Sequence, residues 1–325
     1  MLEKSATPIK DIRVVDGDSS FFLHYSHQDV DCEALGYMVE NRHFRQACLT
    51  KIQTNKNIYF IAPAQIKQIK FQPHEVNATL TNSLEIAASL VVGADGRTSN
   101  IRQIAGISCV KRAYSQTAIV LSVNHDLPHN NTAYERFLPG GPFAILPLST
   151  NQRKKFRSSI VWTEETALAE IILKLSPRDF LNEFKPRFGD HLGKFEFFGP
   201  REAYPLSLQY AETFIANRIA LIGDAAHPML PFMAQGGCSS LEDSFALSYL
   251  MKNSKNISDA FFRFQKIRNK RVRRIQQISS RNRFVFHQPL LIRGLIFKIL
   301  ELFPFILLSR LKMIYNYDVV SRIKN

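Results

Sequence analysis

A chain of 325 residues with 45% hydrophobic and 22% charged side chains can bury one large or two moderate cores, which excludes a disordered or fibrous protein. The net charge of +14 draws the chain toward acidic surfaces, but no basic run is paired with a nucleic-acid-binding motif, so no nucleic-acid partner is expected. Cys32, Cys48, Cys109 and Cys238 form no C-x-x-C pair, which argues against a disulfide framework and against a metal site.

In chain order, apolar alternation predicts strands at 12–15 and 21–25, a helix over 33–50, and short strands at 58–61, 66–71 and 76–80. The stretch LVVGADGRTSNIR at 90–102 then gives an apolar run, Gly93, an Asp95-Gly96 turn and a helical start at Ser99. Asp-Gly is also the commonest hairpin signal, so a plain turn fits as well. From 113 to 162 the pattern is strand-rich, with runs at 119–123, 133–137, 143–147 and 158–162, suited to an antiparallel sheet walling a substrate pocket. Helices over 165–175 and 178–188 and a strand over 195–205 follow.

Residues 218–237, RIALIGDAAHPMLPFMAQGG, read as a buried strand, a tight turn carrying a carboxylate, and the head of a helix. Asp224 emerges at the strand's carboxyl end, and the amides after Gln235 point back toward it. Such a turn suits a cofactor, whose hydroxyls the carboxylate accepts and whose anionic edge the helix head meets. An ordinary strand-to-helix turn capped by Asp224 fits the same spacing.

The carboxyl third is helical. Residues 261–283 carry nine Lys and Arg and no acid, and the apolar stretch from Leu290 is interrupted by Arg293, Lys298, Glu301 and Pro304, so a transmembrane helix is not expected. Two readings fit: an interfacial helix pair making peripheral contact with the inner face of an anionic membrane, or helices solvated on one side and packed on the other. The amino terminus carries no apolar signal core, so cytoplasmic synthesis is expected.

The segments GADGRTSNIR at 93–102 and GDAAHPMLPFMAQG at 223–236 together resemble the DG and GD motifs of the group A FAD-dependent aromatic hydroxylases. EALGYMVENRHFRQA at 33–47, ERFLPGGPFAILPL at 135–148 and YPLSLQYA at 204–211 resemble the ubiquinone-biosynthesis branch of that family. The PMLPFMAQGG form of the second motif is more similar to salicylate-hydroxylase-type relatives.

The resemblance implies an α/β fold: a Rossmann-like FAD-binding domain, an antiparallel-sheet substrate domain and a helical carboxyl-terminal region. Its boundaries fall at 1–112 and 213–255 for the two parts of the FAD domain, 113–212 for the substrate sheet and 256–325 for the basic and apolar helices. It also implies a monooxygenase that uses FAD, NAD(P)H and dioxygen to hydroxylate an aromatic, polyprenylated phenol. Gly223 and Asp224 would hold a ribityl hydroxyl, Pro231 would lie against the flavin, and the amides of Gln235, Gly236 and Gly237 would meet the flavin's pyrimidine edge. Asp95 and Gly96 would approach the pyrophosphate and the path of NADPH, with Arg97 at hand for phosphate, and Arg45 would sit on a helix near the pyrophosphate. Phe137, Pro142, Phe143 and Ile145 are expected to face the substrate. No residue is assigned as catalytic, and His227 is read as packing or hydrogen-bonding beneath the flavin loop, since no acidic partner stands beside it in sequence.

The G-x-G-x-x-G unit that opens such domains, about 30 residues of βαβ, has no counterpart in the sequence, and TPIKDIRVVDG from Thr7 resembles a segment lying beyond it. The sequence therefore reads as amino-terminally truncated. That leaves open a non-catalytic remnant, or one subunit of a split flavoprotein whose missing unit comes from a separate chain, acting as a membrane- or partner-binding module.

Overall fold

Seven strands from widely separated parts of the chain share one sheet in a computed structural model that describes residues 5–17, 22–150, 155–230, 234–286, 290–303, 306 and 317–324. The order begins with strands β1 (Ala6–Ile9), β2 (Asp11–Asp16), β3 (Phe22–Ser26) and β4 (Gly36–Val39), then helix α1 (Asn41–Thr54). Strands β5 (Ile66–Phe71), β6 (Val76–Leu80), β7 (Glu85–Ala88) and β8 (Val91–Gly93) lead to helix α2 (Asn100–Ile104). Next come β9 (Cys109–His125), β10 (Thr132–Leu138), β11 (Gly141–Leu148) and β12 (Phe156–Glu165), helices α3 (Thr166–Lys174) and α4 (Pro177–Phe188), and strands β13 (Phe195–Ala211), β14 (Ile215–Ala216) and β15 (Ile219–Leu221). Helices α5 (Gly236–Asn253), α6 (Ile257–Phe286), α7 (Leu290–Leu302) and α8 (Val319–Lys324) complete the chain.

The chain divides into two compact units, the first made of Met1–Phe60, Ser115–Leu206 and Phe286–Tyr317 and the second of Ile61–Tyr114, Ser207–Val285 and Asp318–Asn325. In the first, the large sheet runs β13-β9-β12-β11-β10-β2-β3. Alternation sends Ile119, Leu121, Phe143, Ile145, Ile160 and Trp162 to one face, where α3 and α4 cover them. Phe180, Phe184 and Phe188 recur every fourth residue of α4 and are 0–2% exposed, and the Phe184 ring stands edge-on to Phe143 at 5.6 Å. Ser176 caps α4 by accepting from the Asp179 amide, with Pro177 at the first helical position.

Residues 1–60, expected with the FAD domain, belong to this unit, because β2 pairs in parallel with β10 from Asp11↔Thr132 to Asp16↔Phe137 and β3 extends the sheet. The helix expected over 33–50 begins only at Asn41. Gly36–Val39 pairs instead with Ala6–Ile9, and a segment cannot be both ladder partner and helix. Glu40, at the helix start, is tied by both carboxylate oxygens to the buried Arg157 guanidinium at 3.0 Å. The strand expected at 58–61 is a loop with Tyr59 87% exposed.

The second unit carries two three-stranded sheets, β5-β6-β7 and β14-β15-β8. Ile219, Ala220 and Leu221 are fully buried, as a strand covered on both faces requires. Their cover includes Leu247 and Leu250 of α5 and Ala260, Phe261, Phe264 and Val272 of α6. The region 256–325 is therefore not a domain of its own: α6 spends its apolar stripe on the core of the second unit, while the segment holding α7 groups with the first. No helix among the described residues is long and apolar enough to cross a membrane.

Candidate cofactor site

The two glycine-aspartate turns, about 130 residues apart, meet because β8 and β15 pair in parallel, Ile219↔Val91 through Leu221↔Gly93. Both strands therefore end at the same edge, where α/β sheets bind ligands. Gly93 permits this closeness: a Cβ there would stand 2.7 Å from Leu221 Cδ2 and 2.9 Å from Ile101 Cγ2. Gly223 has φ +57° and lies against Ser240, whose Oγ a Cβ would meet at 2.8 Å. Asp224 follows in a short 3-10 turn, exposed, and nothing among the described residues hydrogen-bonds to its carboxylate.

Beside this turn α5 begins without a side-chain cap. The first-turn amides of any helix lack intrahelical acceptors, and Gly236 and Gly237 add no side chain over them, a Cβ at either meeting open space. A free carboxylate and uncapped amides offer acceptance to hydroxyls and donation to an anionic edge. Pro231 lies outside the described residues.

The other turn is organised differently. The Asp95 carboxylate accepts from Ser99 Oγ at 2.5 Å and from the Asn100 and Ile101 amides at 2.7 and 3.0 Å, so it caps α2 and fixes the loop. Gly96, at φ +82°, turns the chain with open space beside it. Arg97 donates to Ser207 Oγ at 3.3 Å. Arg102, 3% exposed, donates to the Ala225 carbonyl at 2.7 Å and to the Arg97 carbonyl at 3.0 Å, locking one turn to the other.

A buried ionic network lies beneath the Asp224 turn. Asp243 Oδ2 accepts from the Gly223 amide at 2.8 Å and pairs with His227 Nε2 at 2.6 Å, while Oδ1 accepts from Arg268 Nε at 2.6 Å. Arg268 also reaches Glu242 at 2.6 Å and the Ser239 carbonyl at 3.3 Å. Burial alone would raise the Asp243 pKa, but the His227 hydrogen bond and charge and the Arg268 guanidinium outweigh it, and the pKa falls below the ordinary aspartate value. His227 does sit beneath the loop, but the expectation that it lacks an acidic partner is corrected: Asp243, about two turns into α5, pairs with it. Asp243, Arg268 and Arg102 were not legible as site residues, since each looks like any helical charge until its partner is placed.

The remaining expected residues lie in the first unit. Arg45 is exposed on α1. Phe143 and Ile145, expected to face substrate, are 1% and 4% exposed on the helix-covered face, because the two-residue period of β11 points them under α3 and α4. Phe137 and its cross-strand neighbour Pro142 share the opposite face, where Phe137 packs with Val14 and Leu23.

These features define an α/β protein whose two glycine-aspartate turns meet at the carboxyl ends of parallel strands, the edge at which such sheets hold ligands. The chain belongs to the FAD binding domain family, whose model matches residues 59–255. It is 46% identical over 248 residues to the ubiquinone hydroxylase UbiL of Rhodospirillum rubrum, covering 76% of this chain and 56% of the relative. It is 31% identical to the ubiquinone hydroxylase UbiM of Neisseria meningitidis (77% and 54%) and 28% identical to the 3-demethoxyubiquinol 3-hydroxylase of Escherichia coli (74% and 60%). The chain thus spans a little over half the length of these relatives. Its fold is similar to PqsL, a probable FAD-dependent monooxygenase of Pseudomonas aeruginosa (TM-score 0.77, 18% identity, 90% of this chain and 82% of that one). It is also similar to Klebsiella pneumoniae HpxO complexed with FAD and uric acid (TM-score 0.70, 15% identity, 92% and 78%).

The residues present fit the flavin and ribityl part of FAD: an unengaged carboxylate, an uncapped helix head and glycines allowing close backbone approach.

Proposed function

We propose that this chain forms the flavin-bearing and substrate-bearing part of an FAD-dependent monooxygenase that hydroxylates a polyprenylated phenol in ubiquinone biosynthesis, with NAD(P)H and dioxygen as co-substrates. The observation that carries the reading is the free Asp224 carboxylate beside the uncapped head of α5, in a chain 46% identical over most of its length to a ubiquinone hydroxylase. When bound, FAD would supply the oxygen-insertion chemistry, drawing electrons from NAD(P)H and delivering one atom of dioxygen to an electron-rich ring. Asp224 would accept from a ribityl hydroxyl, with Gly223 allowing the close approach. The amides of Gln235, Gly236 and Gly237 would donate to the negative charge that the reduced pyrimidine edge carries, as preorganised dipoles that need no reorganisation. Pro231 would stiffen the wall beside the ring. Asp95 and Gly96 would shape the second turn, and Arg97 and Arg45 would supply charge for the pyrophosphate.

The large sheet of the first unit would carry the aromatic substrate. Helix α7 exposes Ile292, Leu295, Ile299 and Leu302, one apolar stripe that supports peripheral attachment at the inner face of the membrane, where a polyprenyl tail resides. One observation favours a second reading: the outer edge of β8 pairs with no strand among the described residues, and Val92 on it is 39% exposed. A strand from a separate polypeptide added there would make this chain one subunit of a flavoprotein.

Purified protein titrated with FAD decides between activity alone and activity in a complex. Flavin absorbance that stays with the chain, with phenol-dependent NADPH oxidation and dioxygen uptake, supports the first reading. A folded, colourless chain that gains these only with a second polypeptide supports the other, and a chain that never holds flavin refutes both.

A further inference from the structure

Glu135 occupies an unusual place in the first unit. It lies in the middle of β10, and cross-strand register sets it in a row with Ala144 of β11, Val161 of β12 and Val120 of β9. Residues paired directly across a sheet point to the same side, so all four stand on the face opposite α3 and α4. Phe143, Ile145, Ile160 and Trp162 beneath the helices are 0–4% exposed, whereas the row of Glu135, Ala144, Val161 and Val120 is half-buried, between buried flanks at Phe137, Pro142, Thr163 and Ala118 on the same face. The result is a flat apolar strip about 14 Å long, from the strand spacing, with one carboxyl group at its end.

That carboxyl has no hydrogen-bond or ionic partner among the described residues. Burial pushes its pKa up to about 7, with no neighbouring charge acting on it. The titratable and charged groups nearest it on the same face are Asp16 of β2, Tyr25 of β3 and Arg293 of α7, with Arg157 and Glu165 four residues to either side of Val161 on β12; Asp16 and Arg293 are committed to each other at 2.8 and 3.0 Å, and Arg157 to Glu40 at 3.0 Å. Residues on β9, β11 and β12 that share this face contribute no ionisable group near the row. A half-buried carboxylate of this kind gains most from a neutral O–H donor, and a chain of net charge +14 disfavours a cationic ligand.

We propose that Glu135 is the residue that reads the ring hydroxyl of the substrate, its carboxylate accepting the hydrogen of a phenolic O–H whose ring lies along the Ala144–Val161–Val120 strip. The proposal rests on the aromatic-substrate reading above and adds to it the atom that selects a phenol. Accepting this hydrogen draws it away from the ring oxygen and enriches the ring in electrons, the property that an electrophilic oxygen donor requires.

The test uses the full chain, 2-heptylphenol and its methyl ether 2-heptylanisole, with affinities measured by calorimetry at pH 6 and pH 8.5 for wild type and Glu135→Gln. The phenol should bind wild type up to about tenfold more tightly at pH 8.5, as the ionised fraction of a group near 7 rises. The ether should show no such gain, and E135Q should bind the phenol without pH dependence. In a carbon-13 titration the carboxyl signal missing from E135Q should report a pKa near 7 that falls when the phenol is bound. Equal pH behaviour of phenol and ether, or an unchanged rise in E135Q, overturns the role of Glu135 while leaving the aromatic strip intact. Failure of both probes to bind the folded wild type overturns the strip and the proposal together.

Discussion

Replacing Asp243 with Asn tests whether the buried network, rather than the turn's own backbone, holds Asp224 in place. The carboxylate is fully buried and accepts from three donors: the Gly223 amide, His227 and Arg268. An amide can present only one acceptor oxygen, so its NH2 must face either Arg268 or the Gly223 amide, donor against donor. Breaking a buried charge pair by removing one partner costs about 3–5 kcal/mol, and Glu242 retains a bond to Arg268, which places D243N near the lower end. For a unit of this size that corresponds to about 6–12 °C in the unfolding transition. The pH dependence has a definite sign. The folded-state pKa of Asp243 lies below its unfolded value, so its stabilisation is present above the unfolded aspartate pKa and is lost as pH falls through the lower folded value. Calorimetric unfolding from pH 3 to 7 should show wild type losing its advantage over D243N toward the acid end. A difference at pH 7 below about 1 kcal/mol, or one that grows with acid, would refute the assigned network.

Gly93→Ala should destabilise the second unit by about 1–3 kcal/mol, since its methyl would overlap Leu221 and Ile101; urea unfolding measures this, and a neutral result would mean that β8 and α2 are not so closely packed. Glu40 has its pKa lowered: burial opposes, but the hydrogen bonds and charge of Arg157, then Arg42, prevail. Glu40→Gln should therefore cost more stability at pH 7 than at pH 3, since the contribution is lost as pH falls through the lowered folded value, read from paired thermal melts. Phe143→Ala should cost about 3–5 kcal/mol through the cavity left between β11 and α4, so loss of phenol affinity in a variant of normal stability would contradict its placement in the core.

The sequence by itself determined the local grammar. The runs at 119–123, 143–147 and 158–162 became β9, β11 and β12, and the glycine-aspartate turns at 95 and 224 stood where an apolar run met a helix, because strand period, glycine freedom and helix heads depend on residues near one another in the chain. It could not say which face of β11 is covered, since alternation fixes two faces but not which receives α3 and α4, and so Phe143 and Ile145 were expected at a surface they do not reach. Nor could it show that β2 pairs with β10, that Arg102 bridges the two turns, or that Asp243 stands beneath Gly223 with His227 and Arg268. Each is a pairing across 16 to about 120 residues, decided by strand register and by the need to satisfy buried charges. The Asp224 turn was legible because its chemistry is local; what holds it still was not.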